Sequence, residues 1–454
     1  SEAVETQPKG ELRDYFNNIL DGKVRVAVNA QYVDHIPKQF TGKVGELLAH
    51  ADERKAMDEV TAELGIDHLL EREVGELSGG ELQRLAIAAT LLRDVDVYFF
   101  DEPSSYLDIF ERMRVVKILQ RLSEEHRVIV IEHDLAILDV LSDLVHIVYG
   151  ERAAFGIFTP PRTTRKAINA YLDGFLAEEN VRIRDKPISF VRGSTREEAV
   201  GPAILEWGGI AKTLGEFTLT TEEGQLHQAE VVGVVGPNAT GKTTYAKIIA
   251  GELEMDDGWC TMEAKISYKP QHVVAEHDCT VREWLDAELG NRWHVGEFQS
   301  RVVRPLQVDQ LLELNAQQLS GGELQAVSIV VCLGREADIY LLDEPSAHLD
   351  ANSRMEAAKA IRRTMETNAK SALVIDHDIY FIDIVSDSLL VFEGEGGKHG
   401  TAVGPLPLKD GMNRFLKGVG ITFRRDHDSK RPRINKEGSQ KDRGQKATGD
   451  YYYS

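Results

Sequence analysis

The heptapeptide LSGGELQ stands at residues 77–83 and again at 319–325, 242 positions later. DEPS repeats at 101–104 and 343–346, and a Leu-Asp pair at 107–108 and 349–350, with the same offset. A His-Asp pair after an apolar run recurs at 133–134 and 377–378, offset by 244. Matches in register along a chain mark a tandem repeat, so one fold is expected twice. The runs 97–100 and 339–342 are short, apolar and end on an acidic pair, as buried parallel strands do at their carboxyl ends. Runs 128–131 and 372–375 read the same way. Beyond the first Gly-Gly the apolar residues Leu82, Leu85, Ala86, Ala89 and Leu92 keep helical spacing, so a helix is predicted to begin at the glycines. Strands alternating with helices predict an α/β fold with a parallel sheet in each copy.

The expected copies occupy 1–150 and 201–404. Between them, 151–200 loosens into Pro160-Pro161 and a charged run, which reads as a hinge. From Pro405 a second irregular segment is expected, 405–454, ending in a polar tail from Arg424. Lys and Arg total 53 against 74 Asp and Glu, a net charge of −21, so contact with a polyanion requires a local basic patch. Residues 424–446 provide one, with nine Lys/Arg against four Asp/Glu, either as a solvated tail or as a surface facing nucleic acid. Three cysteines without CxxC spacing exclude a disulfide framework and a zinc or iron–sulfur site. No apolar stretch approaches the ~18 residues of a membrane span, and the N-terminus is polar. A cytoplasmic multidomain protein is expected.

Residues 236–243, GPNATGKT, fit GxxxxGK[ST] and follow the apolar run 231–235. In such a loop Gly236 and Gly241 let the backbone wrap around phosphates, with Asn238 and Thr244 completing the cradle. Lys242 supplies a cation to the β- and γ-phosphates and the Thr243 hydroxyl a ligand to Mg²⁺. Asp343, at a strand end, is placed to hold Mg²⁺, and Glu344 to polarise the attacking water. Asp101 and Glu102 are their counterparts in copy one. His377 and His133 suit a switch that contacts the γ-phosphate. Gln271 lies 29 residues beyond Lys242, a candidate metal contact, and Gln31 takes the matching place in copy one. Phe217 either stacks on adenine or belongs to the core. The glycines of each LSGG open a helix, so Ser78, Gly79 and Gly80, like Ser320, Gly321 and Gly322, form an anion site.

This ordered set resembles the ABC-type ATPases, with Walker A, Q-loop, Walker B, D-loop and His switch in sequence around the LSGG signature. The resemblance implies two tandem P-loop nucleotide-binding domains packed head to tail, ATP and Mg²⁺ as cofactors, and the signature of one domain capping ATP on the other's P-loop. The first P-loop would fall about six positions before residue 1. The chain is therefore expected to begin inside copy one and to assemble one complete site, from 236–244, Asp343, Glu344 and His377 under Ser78, Gly79 and Gly80. The opposite site has Asp101, Glu102, His133 and the Ser320 cap without a phosphate cradle.

A finer resemblance, over nearly the whole chain, is to subfamily E, the ribosome-recycling or RNase L inhibitor family. It is carried by QYVDHIPK at 31–38, EPSSYLD at 102–108, ISYKPQ at 266–271, FLKGVGITFRR at 415–425 and RPRINK at 431–436. That family implies a cytosolic, monomeric ATPase with intramolecular domain pairing and no membrane partner, which splits ribosomes into subunits. It would meet the small subunit and its rRNA and cooperate with release or rescue factors. Two features depart from the family: none of its cysteine-rich iron–sulfur domain is found within residues 1–454, and Ala239-Thr240 replaces a Gly-hydrophobic pair in the P-loop. The second should be tolerated because Gly236 and Gly241 remain. Two alternatives stay open, another soluble tandem ABC translation factor and a nucleotide-gated clamp without turnover.

Overall fold

The computed structural model describes residues 10–29, 33–151, 155–188, 201–261, 264–275, 278–426 and 431–452. They form two compact units, 1–143 and 144–454. The division falls between Asp143 and Leu144, seven residues before the boundary expected at 150.

In the first unit the strands Val26–Asn29, Val97–Asp101 and Arg127–Ile131 pair in parallel, in that order. One face carries Ala27, Tyr98 and Phe100 into a core with Leu82, Leu85 and Ala88 of helix Gly79–Leu91 and Val115, Ile118 and Leu119 of helix Ile109–Glu125. Burying a Leu, Ile or Phe of this kind contributes ~1.5–3 kcal/mol. The strand expected at 128–131 forms, but it is not buried on both faces. Its residues alternate, with Ile129 at 50% and Ile131 at 42% exposure beside Val28 at 61%. The described helices of this unit shield the face opposite these residues.

The second unit carries a ten-stranded sheet. Ile266–Lys269, Ile339–Asp343, Ser371–Ile375, Val231–Val235 and Ser388–Glu395 lie parallel in that spatial order. The antiparallel strand His399–Pro407 then joins this block to the strands Phe217–Thr221, Ala203–Leu214, Gly224–His227 and Asp257–Cys260. Here the continuous apolar runs mean what they predict, for Val231–Val235, Ile339–Asp343 and Ser371–Ile375 are buried at every position. Helix Lys242–Ile249 seats Tyr245, Ile248 and Ile249 against Val232, Val234, Leu341 and Leu373. The parallel strands end together, so the loops that follow them converge on one edge of the sheet.

Among the described residues, both segments expected to be irregular contain regular elements. Within 155–188, helix Thr164–Asp173 packs Ala167 with Ile147 and Leu176, while buried Arg162 pairs with Glu178 at 3.2 Å and with Glu179. At the C-terminus the amphipathic helix Leu408–Val419 packs on the strands Ser388–Glu395 and His399–Pro407. A hairpin, Phe423–Arg425 with Pro432–Ile434, and helix Gln440–Thr448 follow. Polar groups knit this segment: Thr422 donates to Asp442 at 2.7 Å, and Asn435 to Thr422 at 2.9 Å. Arg425 and the Tyr452 hydroxyl both reach Asp383, a fully buried carboxylate on helix Ile379–Val385. The basic patch is thereby reduced. Arg425, Arg433 and Lys446 meet Asp383, Asp426 and Asp442, Arg431 is buried and Arg424 half-buried, so among the described residues Lys436, Lys441 and Arg443 are its exposed cations.

Candidate nucleotide site

Residues 236–241 make the turn between strand Val231–Val235 and helix Lys242–Ile249. Gly236 has φ +150°, and a Cβ there would stand 2.5 Å from the Phe392 carbonyl oxygen. Gly241, at φ +94°, caps the helix, and a Cβ there would meet the Phe217 ring at 2.9 Å. Phe217 therefore lies against the loop and the edge of the core at once. Lys242 is buried and folds back over the turn, its ammonium 2.9 Å from the Gly236 carbonyl and 2.6 Å from that of Pro237. Asn238 on the turn and Thr244 in the first turn of the helix are half-buried. Ala239 takes φ +57°, a left-handed conformation that costs a residue with a Cβ ~1–2 kcal/mol. The substitution for glycine is accommodated, with strain.

The loop meets the end of the neighbouring strands. The Thr243 hydroxyl donates to Asp343 Oδ2 at 2.9 Å, while Asp343 Oδ1 is buried without a hydrogen-bond partner. Burial, and next the charge of Glu344, push the Asp343 carboxyl up to about 6, against the Thr243 hydroxyl and the Lys269 and Lys242 cations. Glu344 receives the Gln271 amide at 2.8 Å and lies 3.3 Å from His377 Nε2. Burial alone would raise its carboxyl, but His377, Lys242 and Gln271 together hold it down at about 2. Glu344 is also strained at φ +48°. Its backbone is pinned on both sides, N–H to the Ile375 carbonyl at 2.8 Å and carbonyl to Gln325 Nε2 at 2.6 Å. Strain of this kind persists only where the surroundings over-determine it. One ionised carboxylate, one carboxylate reluctant to ionise, a hydroxyl and a cation thus share the sheet edge beside the phosphate turn.

Copy one repeats the acidic half of this arrangement. Glu102 has φ +48° and lies 3.3 Å from His133 Nε2, and Gln83 donates to its carbonyl at 3.3 Å. Burial, then Glu102, raise the carboxyl of Asp101. His133 is more open than His377, with side-chain exposures of 48% and 11%. Gln31 lies outside the described residues.

Each signature serine is the N-cap of its helix. Ser78 closes a capping box with Glu81, and Ser320 closes one with Glu323. Such a cap stabilises a helix by ~1 kcal/mol. Both serines are exposed, at the positive end of a helix dipole. The glycines have a second reason to be glycine. A Cβ on Gly79 would press the Tyr106 ring at 3.2 Å, and one on Gly322 would lie 2.7 Å from the His348 carbonyl oxygen. Tyr106 and His348 themselves sit at φ +63° and +60°, so the loop after each DEPS is shaped to its own signature helix.

Several supporting residues carry no motif. Asp376 accepts from Ser346 N at 2.9 Å, Ser346 Oγ at 2.7 Å and Asp378 N at 2.9 Å, which ties the DEPS turn to the His377 loop. Glu132 bonds Ser104 N, His133 N and Asp134 N in copy one. Asp378 caps helix Ile379–Val385 and pairs with Arg354 at 3.1 Å, as Asp134 does with Arg112 at 2.8 Å. The repeated Asp108 and Asp350 are likewise helix N-caps. The acidic residue before each switch histidine was the one available signal, and it differs in length between the copies.

The family model described as "ABC transporter" matches residues 5–105 and 219–347. An uncharacterised ABC transporter ATP-binding protein of Methanocaldococcus jannaschii is 46% identical over 445 residues, 98% of this chain and 73% of that protein. The archaeal ribosome recycling factor solved in complex with the archaeal ribosomal stalk protein aP1 is 48% identical, with TM-score 0.92 over 100% of this chain and 88% of that one. A model of ribosome-bound archaeal Pelota and its ABC partner is 49% identical with TM-score 0.94, covering 100% and 77%. Among the described residues no helix is long and apolar enough to cross a membrane. With two ABC segments, and with such identity over nearly its whole length, the chain belongs to subfamily E of the ABC ATPases, the family of the archaeal ribosome recycling factor.

Proposed function

We propose that the chain binds and hydrolyses ATP at the 236–244 loop, that ATP closes its two units and hydrolysis reopens them, and that this cycle splits ribosomes into subunits, in the cytoplasm. The observation that carries the catalytic half is the junction of Thr243, Asp343, Glu344, Gln271 and His377 at one sheet edge. Glu344, ionised and aimed by Gln271 and His377, accepts the proton of the attacking water. Lys242 leaves the carbonyls of Gly236 and Pro237 for the β- and γ-phosphates, exchanging neutral acceptors for charged ones. His377 shares its proton between Glu344 and the γ-phosphate.

The fit to Mg²⁺ rests on an all-oxygen set with an orphaned, buried Asp343 oxygen beside the Thr243 hydroxyl. Thr243 and Asp343, with Gln271, would hold the ion, which when bound neutralises charge developing on the phosphate oxygens. In copy one Asp101 would take the same role.

Ser78, Gly79 and Gly80 would cap the γ-phosphate bound at Lys242, and Ser320, Gly321 and Gly322 would serve the opposite site with Asp101, Glu102 and His133. The exposed, dipole-bearing serine N-caps support this reading. Closure does work because nucleotide and ribosome each bind the open and closed forms with different affinity. Similarity to a ribosome recycling factor and to a ribosome-bound protein supports the ribosome as partner, with its small subunit, rRNA and release or rescue factors. Lys436, Lys441 and Arg443 are the cations placed to face rRNA.

Steady-state phosphate release, measured with and without ribosomal subunits and followed by subunit sedimentation, tests the proposal. Turnover with ATP-dependent splitting is expected, and Glu344→Gln should bind ATP yet lower turnover by ~10²-fold or more. ATP binding without phosphate release would mark a clamp instead, and turnover without splitting would remove the ribosomal assignment.

A further inference from the structure

The two copies differ at one buried place beside their catalytic carboxylates. Strand Ile266–Lys269 sets Lys269 opposite Leu342, and strand Val26–Asn29 sets Asn29 opposite Phe100, the residue 242 positions earlier. Lys269 and Asn29 therefore occupy the same point of the two sheets, each at the carboxyl end of its strand. Both side chains are 2% exposed. The Lys269 ammonium donates to the Asp343 carbonyl at 2.9 Å and to the Pro270 carbonyl at 3.1 Å. The Asn29 amide has no hydrogen-bond partner on either atom.

The Asp343 carbonyl belongs to the peptide that leads into Glu344, and the Pro270 carbonyl to the peptide that leads into Gln271. One cation thus grips the chain immediately before the residue read as the base and before the amide that aims it. Glu344 needs such a grip, because its left-handed backbone is strained and its carboxylate must keep one direction. In the second unit the peptides flanking Glu344 are held by Ile375, Gln325 and Lys269. In copy one Ile131 and Gln83 hold Glu102, the latter at 3.3 Å against 2.6 Å for Gln325, and among the described residues no cation takes the place of Lys269.

We propose that Lys269 is a positioning residue for ATP hydrolysis at the 236–244 site, locking Glu344 and Gln271 in a common frame that copy one lacks. It rests on the assignment of Glu344 and Gln271 given above. Lys269 touches neither phosphate nor water, so its loss should be felt in the chemical step rather than in binding.

The test uses the full chain carrying Lys269→Met, Lys269→Gln or the copy-one residue, Lys269→Asn. A charged hydrogen bond lost from a buried site should lower kcat ~10-fold or more for Met and Asn. Lys269→Gln, which keeps a neutral donor one bond shorter than the ammonium, should recover part of it. ATP affinity should move less than ~3-fold, since uniform binding is untouched. In a Gln271→Ala background Lys269→Met should cost ~3-fold or less, because the two act through one group. Comparable kcat in Lys269→Met and the unmodified chain overturns the proposal, as does a loss confined to ATP affinity or full additivity with Gln271→Ala. If the variants melt too early to assay, the Lys269→Gln kinetics decide alone. Lys242→Ala is the separate control: undiminished hydrolysis there would refute the site assignment itself, whatever Lys269 does.

Discussion

Asp376→Asn removes one oxygen from a carboxylate that serves three donors. Oδ1 accepts from the Ser346 hydroxyl and the Asp378 N–H, and Oδ2 from the Ser346 N–H. An asparagine can turn its oxygen to one side only. The hydroxyl can reverse and accept from the new amide, but a backbone N–H cannot. Whichever way the amide faces, a buried N–H of Ser346 or Asp378 confronts another donor, and the remaining bonds lose their charge. An unsatisfied buried donor costs ~1–3 kcal/mol and charge-assisted bonds are about twice as strong as neutral ones, so a loss of roughly 2–4 kcal/mol is expected. For a unit of this size that lowers Tm by roughly 3–6 °C. His377 lies between Asp376 and Asp378, so its ring should also lose its fixed distance to Glu344 and kcat should fall ~10-fold or more with ATP affinity little changed. Thermal unfolding and steady-state hydrolysis on the same preparation check both figures. A shift under about 1 °C together with unchanged kcat would refute the argument that this carboxylate ties the DEPS turn to the switch loop.

Ala239→Gly should relieve the left-handed strain at φ +57° and stabilise the second unit by up to ~1 kcal/mol, part of the gain being lost to the greater freedom of glycine in the unfolded chain; a lower Tm would contradict this. If Asp343 holds Mg²⁺ as proposed, proton and cation compete for its carboxyl, which is pushed up to about 6 by burial and by Glu344. The folded chain therefore holds a proton between about pH 4 and 6 that the unfolded chain has released, so this group's contribution to ligand-free stability falls as pH rises through that window. Mn²⁺ binding to the nucleotide-free chain, read by electron paramagnetic resonance, should weaken ~10-fold from pH 7 to pH 5, more than half of that on a logarithmic scale falling below pH 6, and level off above pH 7. Equal affinity at pH 5 and 7 would remove Asp343 from the metal site. Asp383→Asn should unseat the Arg425 and Tyr452 contacts and raise hydrogen exchange across 422–452, while native protection there would show that the segment docks without them.

Much of this architecture is legible in the letters because the repeated strings sit where local physics is strong. An apolar run closed by Asp-Glu makes a strand with acids at its end, and Ser-Gly-Gly-Glu makes a capping box, so both signature helices begin at the expected glycine. Supporting contacts stay hidden because they are nonlocal. Gln325 is visible as the last letter of LSGGELQ, yet its partner is a backbone carbonyl 19 residues on, which no side-chain pattern records. Lys269 is concealed for the opposite reason, since copy one has Asn29 there and a search for identity passes over it. The C-terminal segment reads as a polar tail because its order comes from Thr422, Asn435, Asp442 and the buried Asp383, and composition does not distinguish paired polar groups from solvated ones. Copy one misleads in turn. Its strand 127–131, RVIVI, carries an apolar run like that of its counterpart SALVI at 371–375, but whether a face is buried depends on what packs there.

Signature exchange tests the account most directly. On the proposed function an arginine at Ser78 would meet the γ-phosphate of ATP held by Lys242, whereas one at Ser320 would meet only the opposite site. Phosphate release by Ser78→Arg should therefore fall to the level of Glu344→Gln, with ATP still bound, and Ser320→Arg should retain most of the turnover of the 236–244 site. Full hydrolysis by Ser78→Arg, or selective loss in Ser320→Arg, would contradict a site completed by the first unit's signature.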